Sequence, residues 1–269
     1  MNILNAIKKT IRNRLVRLGI LKKLSIRYCS ENNLLPSVFV WTNCNSMREM
    51  LNLPTSRYQT QLNQDIFALI INQFRPGFFL EIGANDGFTL SNTVYLEECF
   101  GWKGILIEAN QKYLPSLEKR KNSVIVNKAV SSQKGKAEFV DAGLYGGLKD
   151  SLDNTHHQLT KDAEIITVDC ISLKEILDAA DTPIEIDFVS IDVEGGELPI
   201  VEQLVTVNKR FRCGCIEYNG RADDYKEILS LLESAGYKVV WEGQTRHDLF
   251  FIDSRESRRC PFLPNRNVP

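Results

Sequence analysis

From Asp65 onward, short apolar runs alternate regularly with amphipathic stretches, and this alternation limits the chain to a small set of folds. The apolar runs are rich in Ile, Val and Phe, which favours strands, whereas the stretches between them have helical spacing. Nearly continuous apolar strands separated by helices indicate a parallel sheet covered on both faces. The predicted fold class is therefore α/β, a Rossmann-like sheet with helices on both faces and an N-terminal helical extension.

The predicted strands are the apolar runs of this region: Phe78–Ile82, Gly104–Glu108, Ser123–Val130, Asp187–Asp192, Cys213–Glu217, Tyr237–Trp241 and Leu249–Ile252. The predicted helices begin near these residues: Ser91, Gln111, Ser172, Glu197 and Asp223. Ser172 and Glu175 have the spacing of a capping box, and Gly236 lies where a helix C-cap glycine is expected. A glycine-rich stretch, Ala137–Ile165, interrupts the alternation and is predicted to be a loop or hairpin insertion on the ligand side.

The first 62 residues are predicted to be a separate N-terminal segment. Residues 1 to about 30 contain apolar residues near helical spacing, and no Asp or Glu appears before Glu31, so we expect a basic amphipathic helix. Its apolar stripe either packs on the domain that follows or brings residues 1–28 to an anionic membrane surface. Residues 31–62 show no regular pattern, and we expect them to form a connecting segment or a cap. The remaining predicted boundaries are an α/β domain at 63–255 and a tail at 256–269.

The overall charge excludes some classes of partner. The 33 basic and 34 acidic side chains nearly cancel, so nucleic acid is not an expected partner.

Seven cysteines, an odd number without C-x-x-C spacing, indicate reduced thiols in a cytosolic protein. No apolar run approaches the roughly 18 residues of a membrane span, and the N-terminus lacks the pattern of a signal peptide. We expect a cytoplasmic protein.

A glycine turn follows the first predicted strand. The strand ends in Glu81 and runs directly into Gly83-Ala84-Asn85-Asp86-Gly87. Glycine is needed where the backbone bends tightly and approaches a ligand. Asn85 and Phe88 stand where a dinucleotide motif has its second and third glycines, and Glu81 would repel phosphates. The turn therefore suits a cofactor that carries an ammonium group and no phosphate, as S-adenosylmethionine does.

Glu108 ends the second predicted strand, about 25 residues after Gly83. A carboxylate at this distance is expected to bind a ribose diol, because its two oxygens can accept from two hydroxyls. The alternative is a solvated acid at the end of a strand. The glycine turn together with Glu108 favours the cofactor interpretation.

Four ordered segments of the chain resemble the FkbM family of S-adenosylmethionine-dependent methyltransferases. The segments are Phe79–Gly87, Gly104–Asn110, Asn127–Ser131 and Asp187–Glu197, of which the last resembles the family's fourth-strand signature most clearly. The resemblance covers roughly residues 65–252. It implies a seven-stranded methyltransferase sheet with an antiparallel last strand, and methyl transfer to an oxygen, often on a sugar or a polyketide hydroxyl.

The resemblance also implies where the cofactor lies. Its methionine portion would follow the first turn, its ribose would meet Glu108, and its adenine would lie near the third predicted strand. The residues expected to bind it are Glu81, Gly83, Asn85, Asp86, Glu108, Ala129, Val130 and Ser131.

The candidate catalytic residues follow the fourth and fifth predicted strands, whose ends are neighbours in a doubly wound sheet. Asp192 and Glu194 could act as a general base, or Asp192, Glu217 and Asn219 could bind Mg²⁺ or Mn²⁺, which would acidify a hydroxyl. The alternative for Asp192 and Glu194 is a hydrogen-bonding role that anchors loops. His247 is a further candidate base, whereas the adjacent His156 and His157 are weaker candidates.

Two other classes of protein use a similar sheet. A nucleotide-dependent oxidoreductase or epimerase would need the glycines that the turn after the first predicted strand lacks. A binding module without catalysis, associated with a membrane, would show cofactor binding without turnover. The expected acceptor is a hydroxyl on a glycan, sugar or related small molecule, although fold and cofactor motifs do not specify it.

Overall fold

The computed structural model describes residues 44–152, 160–240, 245 and 247–256. The predicted N-terminal helix, His156, His157 and residues 257–269 of the predicted tail lie outside this part of the chain. The described strands are β1 (Phe78–Ile82), β2 (Lys103–Ile107), β3 (Ser123–Val126), β4 (Ala129–Val130), β5 (Gly135–Asp141), β6 (Gly147–Leu148), β7 (Glu164–Ile171), β8 (Glu185–Ile186), β9 (Phe188–Ile191), β10 (Arg210–Phe211), β11 (Cys213–Glu217), β12 (Tyr237–Val240) and β13 (Asp248–Asp253). The described α-helices are α1 (Cys44–Met50), α2 (Gln64–Ile71), α3 (Val94–Phe100), α4 (Leu114–Leu117), α5 (Leu173–Ala179), α6 (Glu197–Thr206) and α7 (Ala222–Ser234).

Seven strands form the central sheet in the order β12-β13-β11-β9-β1-β2-β3. β13 is antiparallel to both of its neighbours, whereas β3, β2, β1, β9 and β11 are parallel. The predicted fold class is therefore confirmed, including the antiparallel last strand. Because β2, β1, β9 and β11 run in one direction, their carboxyl ends meet at a single edge of the sheet.

Each face of the sheet carries a buried hydrophobic cluster. On β1, Phe79 belongs to the cluster that includes α2 and α3, whereas Leu80 belongs to the cluster that includes α5, α6 and α7. Successive side chains of a strand point to opposite faces, so a strand buried on both faces must be apolar at nearly every position. This requirement explains the continuous apolar runs of the sequence. Glu81 is the charged residue of β1, and it lies next to the last residue of the strand, near the carboxyl edge of the sheet.

The predicted single strand Ser123–Val130 is wrong as a continuous element. It divides into β3, which pairs with β2, and β4, which joins a second sheet of order β4-β7-β5-β6. Between them, Asn127 donates its side-chain amide to the carbonyls of Glu108 (2.8 Å) and Ala109 (3.2 Å). These hydrogen bonds tie the chain to the end of β2 and interrupt the strand.

The predicted insertion contains a hairpin. β5 and β7 pair antiparallel from Gly135↔Cys170 to Asp141↔Glu164, and β6 adds to the outer side of β5. The capping box of α5 is present, with Ser172 and Glu175 bonded reciprocally. Gly236 has a φ of 83°, as expected for the residue after the end of α7.

α1 packs on the same core as α2. Met47 and Leu51 belong to the hydrophobic cluster of α2, and the guanidinium of Arg48 lies 2.6 Å from the Asp65 carboxylate with both side chains fully buried. Arg48 also lies over the ring of Tyr95, 3.7 Å from its centroid. Among the described helices, none is both long enough and apolar enough to cross a membrane.

Candidate active site

A cavity of about 380 Å³ opens at the carboxyl edge of the central sheet. It extends from the ends of β1 and β2 to those of β9 and β11, and the hairpin of the second sheet contributes another wall. The sequence-predicted residues that line it are Glu81, Gly83, Asn85, Glu108, Ala129, Val130, Asp192, Glu194, Glu217, Asn219 and His247. The fold thus brings most of the candidate residues to one space, which has a volume typical of small-molecule sites.

Position 83 must be glycine because the chain that follows the neighbouring strand β9 passes very close to it. It has a φ of 89°, and a Cβ there would lie 1.6 Å from the carbonyl oxygen of Asp192. Its N–H and that of Ala84 both bond to the Ile107 carbonyl at 3.0 Å. Any side chain at position 83 would therefore separate β1 from β9, which would move the turn and the Asp192 loop apart.

Glu81 is buried and extensively hydrogen-bonded within the protein. Its carboxylate accepts from the Ser91 hydroxyl (3.0 Å), the Asn92 backbone N–H (2.8 Å) and the Thr93 hydroxyl. Burial raises its pKa, and the nearby Arg120 guanidinium and these hydrogen bonds oppose that rise. Glu81 lines the cavity, but its strongest role in this structure is to hold Ser91–Thr93 ahead of α3. The predicted helix start near Ser91 is displaced to Val94 because these residues are bonded to Glu81 instead.

Asn85 and Asp86 shape the turn in different ways. Asn85 has a φ of 48°; its N–H donates to Glu108 at 2.8 Å, and its side-chain amide donates to the Gly143 carbonyl at 3.2 Å. Asp86 does not line the cavity; its carboxylate accepts from the N–H groups of Phe88 and Thr89 and from the Thr89 hydroxyl. Although partial burial opposes the effect, these hydrogen bonds lower the pKa of Asp86.

Glu108 lies where a ribose ligand was expected. Its side chain is only 7% exposed, and each oxygen accepts one backbone N–H, from Asn85 (2.8 Å) and from Asn110 (2.7 Å). Burial raises its pKa, while those two N–H groups oppose the rise. A carboxylate offers about four lone-pair positions, so two remain after these bonds. The carboxylate is oriented by the protein and retains capacity for a ligand.

Beyond Glu108 the cavity wall becomes more apolar. Ala129, Val130, Tyr113 and Phe139 line it, together with Lys128. Ser131, predicted as a cofactor ligand, does not line the cavity; its N–H donates to the Ile171 carbonyl at 2.9 Å and continues the pairing of β4 with β7. Tyr113 and Phe139 were not identified from the sequence, because they belong to a 3₁₀ turn and to the second sheet.

Acidic side chains gather at the opposite end of the cavity. Asp192, Glu194 and Glu217 each place a carboxylate oxygen within 4.8 Å of the others. Burial, followed by the hydrogen bond and the charge of Glu217, raises the pKa of Asp192 well above its usual range. Two carboxylates at hydrogen-bonding distance are stable only when they share a proton. The close approach of Glu217 therefore favours the protonated form of Asp192.

Glu194 and Asn219 form a second pair beside the first. Each has a positive φ, 57° for Glu194 and 50° for Asn219, and the Asn219 side-chain amide donates to Glu194 at 2.9 Å. Asn219 thus contacts the acidic cluster through its nitrogen. The exposed His247 lines the same cavity, and its backbone carbonyl accepts from the Tyr218 N–H at 2.7 Å.

Asp248 is a buried acid that was not identified from the sequence. It lies opposite Glu217 in the antiparallel register of β11 and β13, and its carboxylate accepts from the Gln64 side chain of α2 at 2.8 Å. Burial and the charge of Glu217 raise its pKa to about 7, although the Gln64 bond opposes the rise. The register of an antiparallel pair decides this contact, and a strand pattern alone does not specify register.

The raised pKa of Asp248 predicts a pH-dependent gain in stability for Asp248→Asn. An acid whose pKa is raised on folding contributes stability that is fully present at low pH and is lost as the pH rises from about 4 to about 7. The neutral amide avoids this loss. The melting temperature of the variant relative to wild type should therefore increase across that window and then remain constant. An equal difference in melting temperature between variant and wild type at pH 4.5 and at pH 8 would contradict this prediction. The exposed Asp178→Asn of α5 is the control.

The hairpin of the second sheet forms a wall of the cavity. A Cβ at Gly147 would lie 2.9 Å from the Val193 carbonyl, and one at Gly195 would lie 2.2 Å from the Ser151 carbonyl. Glycine at both positions lets the hairpin approach the loop after β9. The short 3₁₀ turn Gly143–Tyr145 then borders the cavity, with Leu144 46% exposed and Tyr145 53% exposed.

Several known methyltransferases have solved structures similar to this one. They include the precorrin-6y C5,15-methyltransferase of Geobacter metallireducens, with 12% identity over 73% of this chain and 90% of that chain (TM-score 0.38). The N-terminal domain of human METTL16 has 16% identity over 75% and 72% of the two chains (TM-score 0.40). A putative RNA methyltransferase of Pyrococcus horikoshii has 8% identity over 71% and 79% (TM-score 0.40). A comparison with curated protein sequences gave no match.

The family assignment comes from sequence. The methyltransferase FkbM domain matches residues 81–239, more than half of the 269 residues, and its limits enclose the glycine turn, Glu108 and the acidic loop after β9. The chain belongs to the FkbM methyltransferase family.

Proposed function

We propose that this protein transfers the methyl group of S-adenosylmethionine to a hydroxyl oxygen of a sugar, a glycan or a related small molecule. The observation that carries the proposal is the single cavity that joins Glu108 at one end to the Asp192, Glu194 and Glu217 carboxylates at the other. A cofactor bound along this cavity would extend from the end of β2, past the glycine turn, to the acidic cluster. An acceptor hydroxyl would then meet carboxylates beside the reacting group.

The residues present suit the proposed cofactor. Glu108 is held by two backbone N–H groups and retains acceptor capacity for a ribose diol. The acidic end favours a cationic ligand, because carboxylates attract a sulfonium and an ammonium and repel phosphates. Bound S-adenosylmethionine would supply an electrophilic methyl group on its sulfonium. The chain's own residues must bind and orient the acceptor, exclude water and receive a proton.

The proton balance identifies what the acidic cluster must do. When the hydroxyl oxygen forms its bond to the methyl carbon, the carbon–sulfur bond breaks, the electron pair stays on sulfur and the hydroxyl loses a proton. Asp192, in its ionised form, accepts that proton. Asp192 is partly exposed whereas Glu217 is only 8% exposed, so Asp192 is the carboxyl that faces the acceptor.

A bound divalent cation is the second candidate mechanism. Three carboxylate oxygens within 4.8 Å of one another could bind Mg²⁺ or Mn²⁺, which would acidify the hydroxyl instead of accepting its proton. If Asp192 acts as the base, EDTA should leave turnover unchanged within about twofold. If EDTA abolishes activity and Mg²⁺ or Mn²⁺ restores it, the result supports the cation mechanism. In that case Asn219→Asp, which adds a carboxylate ligand, should strengthen cation binding.

Cofactor binding itself should depend on Glu108. Glu108→Ala removes the proposed diol contact and is expected to weaken the binding of S-adenosylhomocysteine by about 1 to 3 kcal/mol. Isothermal titration calorimetry measures this change. The exposed Glu118→Ala, ten residues further along the chain, is the control and should bind as wild type does.

The Glu108 experiment also separates the proposed function from its alternative. No detectable binding by the wild-type protein would contradict the proposed cofactor. Binding without methyl transfer to any alcohol would favour a binding module that retains the methyltransferase fold. Because Glu108 also accepts from Asn85 and Asn110, thermal unfolding of Glu108→Ala without ligand must be measured, so that a loss of folding is not taken for a loss of binding.

A further inference from the structure

Leu90 adopts a backbone conformation that is unfavourable for its side chain. Its φ is 56°, in the left-handed region that leucine avoids because its Cβ crowds the following carbonyl. Such a conformation persists only where surrounding contacts impose it, and it occurs most often at functional sites.

Hydrogen bonds on both sides impose this conformation. Before Leu90, the N–H and the hydroxyl of Thr89 bond to Asp86; after it, the Ser91 hydroxyl and the Asn92 N–H bond to Glu81. The two carboxylates therefore fix the chain on either side of Leu90. The strain is built into the turn that follows β1 and does not result from a loose loop.

The side chain of Leu90 lies at the junction of the cavity with its acidic end. It lines the main cavity and also a small polar space shared with Gln64, Asp192, Glu217 and Asp248. It nevertheless remains 38% exposed, and it belongs to none of the three buried hydrophobic clusters of the described residues. Packing within the described protein therefore does not explain why a leucine occupies this position.

Leu90 shares the cavity with two other exposed apolar side chains. Leu144 and Tyr145, on the 3₁₀ turn of the hairpin, are 46% and 53% exposed and line the same space. Of the exposed large hydrophobic side chains in the described residues, these three border the cavity; the others are Val124, Ile165 and Ile184. An apolar surface beside a cluster of carboxylates suits a ligand that has an apolar face and no negative charge.

We propose that Leu90, Leu144 and Tyr145 form the acceptor-binding surface of this enzyme, and that it takes an uncharged cyclic alcohol whose apolar ring face packs against them. The inference rests on the proposed methyl transfer. An anionic acceptor would meet Asp192, Glu194 and Glu217, and a cationic acceptor would be repelled by the sulfonium that it has to approach. Leu90 positions the alcohol so that its hydroxyl reaches the acidic end, and the strained backbone fixes the direction of the side chain.

The first test compares Leu90→Gly with wild type by thermal unfolding. Glycine relieves the left-handed strain, so the melting temperature should rise by about 2 °C or more if the leucine side chain serves a ligand. Asp181→Gly, at a φ of 47° in the turn after α5, is the matched control for strain relief away from the cavity. A fall in melting temperature would show that Leu90 is a packing residue and would overturn the proposal.

The second test measures ligand binding by saturation-transfer NMR on protein loaded with sinefungin, a cofactor analogue that carries an ammonium group in place of the methylated sulfonium. The probes differ mainly in charge: methyl β-D-glucopyranoside, D-glucuronate and D-glucosamine. We expect binding of the glucopyranoside alone, weakened about 10-fold by Leu90→Gly and Leu90→Ala and unchanged by the exposed control Ile184→Ala. Preferential binding of the charged probes, no binding of the glucopyranoside, or no effect of either Leu90 variant would overturn the proposal.

These two tests measure properties other than cofactor binding, which tests the proposed function. Calorimetry with S-adenosylhomocysteine tests the cofactor, and Leu90→Gly should leave that affinity unchanged. Cofactor binding without the expected Leu90 effects would refute the acceptor surface alone. Absence of cofactor binding would refute the proposed methyl transfer and with it this inference.

Discussion

Asp192→Asn is expected to reduce turnover by about 100-fold or more while leaving the affinity for S-adenosylhomocysteine nearly unchanged. An alcohol near neutral pH is a poor nucleophile, and the asparagine amide cannot accept its proton. Its amide can still donate a hydrogen bond to Glu217, so the contact between the two side chains is retained. The measurement is S-adenosylhomocysteine release under saturating acceptor, with binding affinity determined separately by calorimetry.

Three further variants make this experiment specific. Glu194→Gln should also lower turnover, because it removes a carboxylate of the acidic cluster and alters the hydrogen bond from Asn219. His247→Gln tests the alternative base, and the exposed Asp178→Asn controls for a general loss of negative charge. If Asp192→Asn and Glu194→Gln both retained wild-type turnover on the acceptor, the acidic cluster would not be the catalytic site.

The pH profile of turnover provides an independent check. Because burial and the neighbouring Glu217 raise the pKa of Asp192, the fraction of enzyme with an ionised Asp192 should increase as the pH rises. Turnover of the wild type should therefore rise with pH until Asp192 is fully ionised. Asp248→Asn removes a neighbouring buried carboxyl, which should displace this rise to lower pH, a change that a purely structural role of Asp248 would not produce.

The strands of the central sheet could be predicted because burial on both faces leaves a mark in the sequence. β1 and β11 begin and end where the apolar runs do, and the capping box of α5 is a local pattern that the structure retains. The acidic ends of β9 and β11 meet for a topological reason, since parallel strands in adjacent positions end at the same edge. These features depend on period, spacing and strand direction.

The remaining features depend on contacts between distant segments. The strand break at Asn127 exists because its amide reaches the end of β2, and Ser131 is removed from the cavity by pairing with β7. Asp248 comes to lie beside the candidate site only through the register of β11 with β13. Glu81 was identified as a candidate ligand, but the residues that occupy its carboxylate lie ten to twelve positions away and include no recognisable motif. A single sequence contains little information about such partners.

A buried ion pair connects the N-terminal part of the described chain to the candidate site. Arg48 of α1 bonds to Asp65 of α2 at 2.6 Å, and its guanidinium also donates to the Tyr58 carbonyl at 2.7 Å. Burial raises the pKa of Asp65, and Arg48 opposes that rise, so the ionised acid depends on the arginine. The adjacent residue, Gln64, donates to Asp248 at the acidic end of the cavity. The ion pair therefore supports the start of the helix that contacts the site.

Arg48→Met is accordingly expected to destabilise the protein by about 3 to 5 kcal/mol, because it leaves the Asp65 carboxyl buried without a charged partner. The loss should be smaller at pH 5 than at pH 8, since protonation of Asp65 at lower pH removes the uncompensated charge. Urea unfolding at the two pH values measures both effects, with the exposed Arg75→Met as the control. The double variant Arg48→Met/Asp65→Leu replaces the pair by apolar side chains and should recover much of the stability. A loss below about 1 kcal/mol at pH 8, or no recovery in the double variant, would show that the pair contributes little to the attachment of α1.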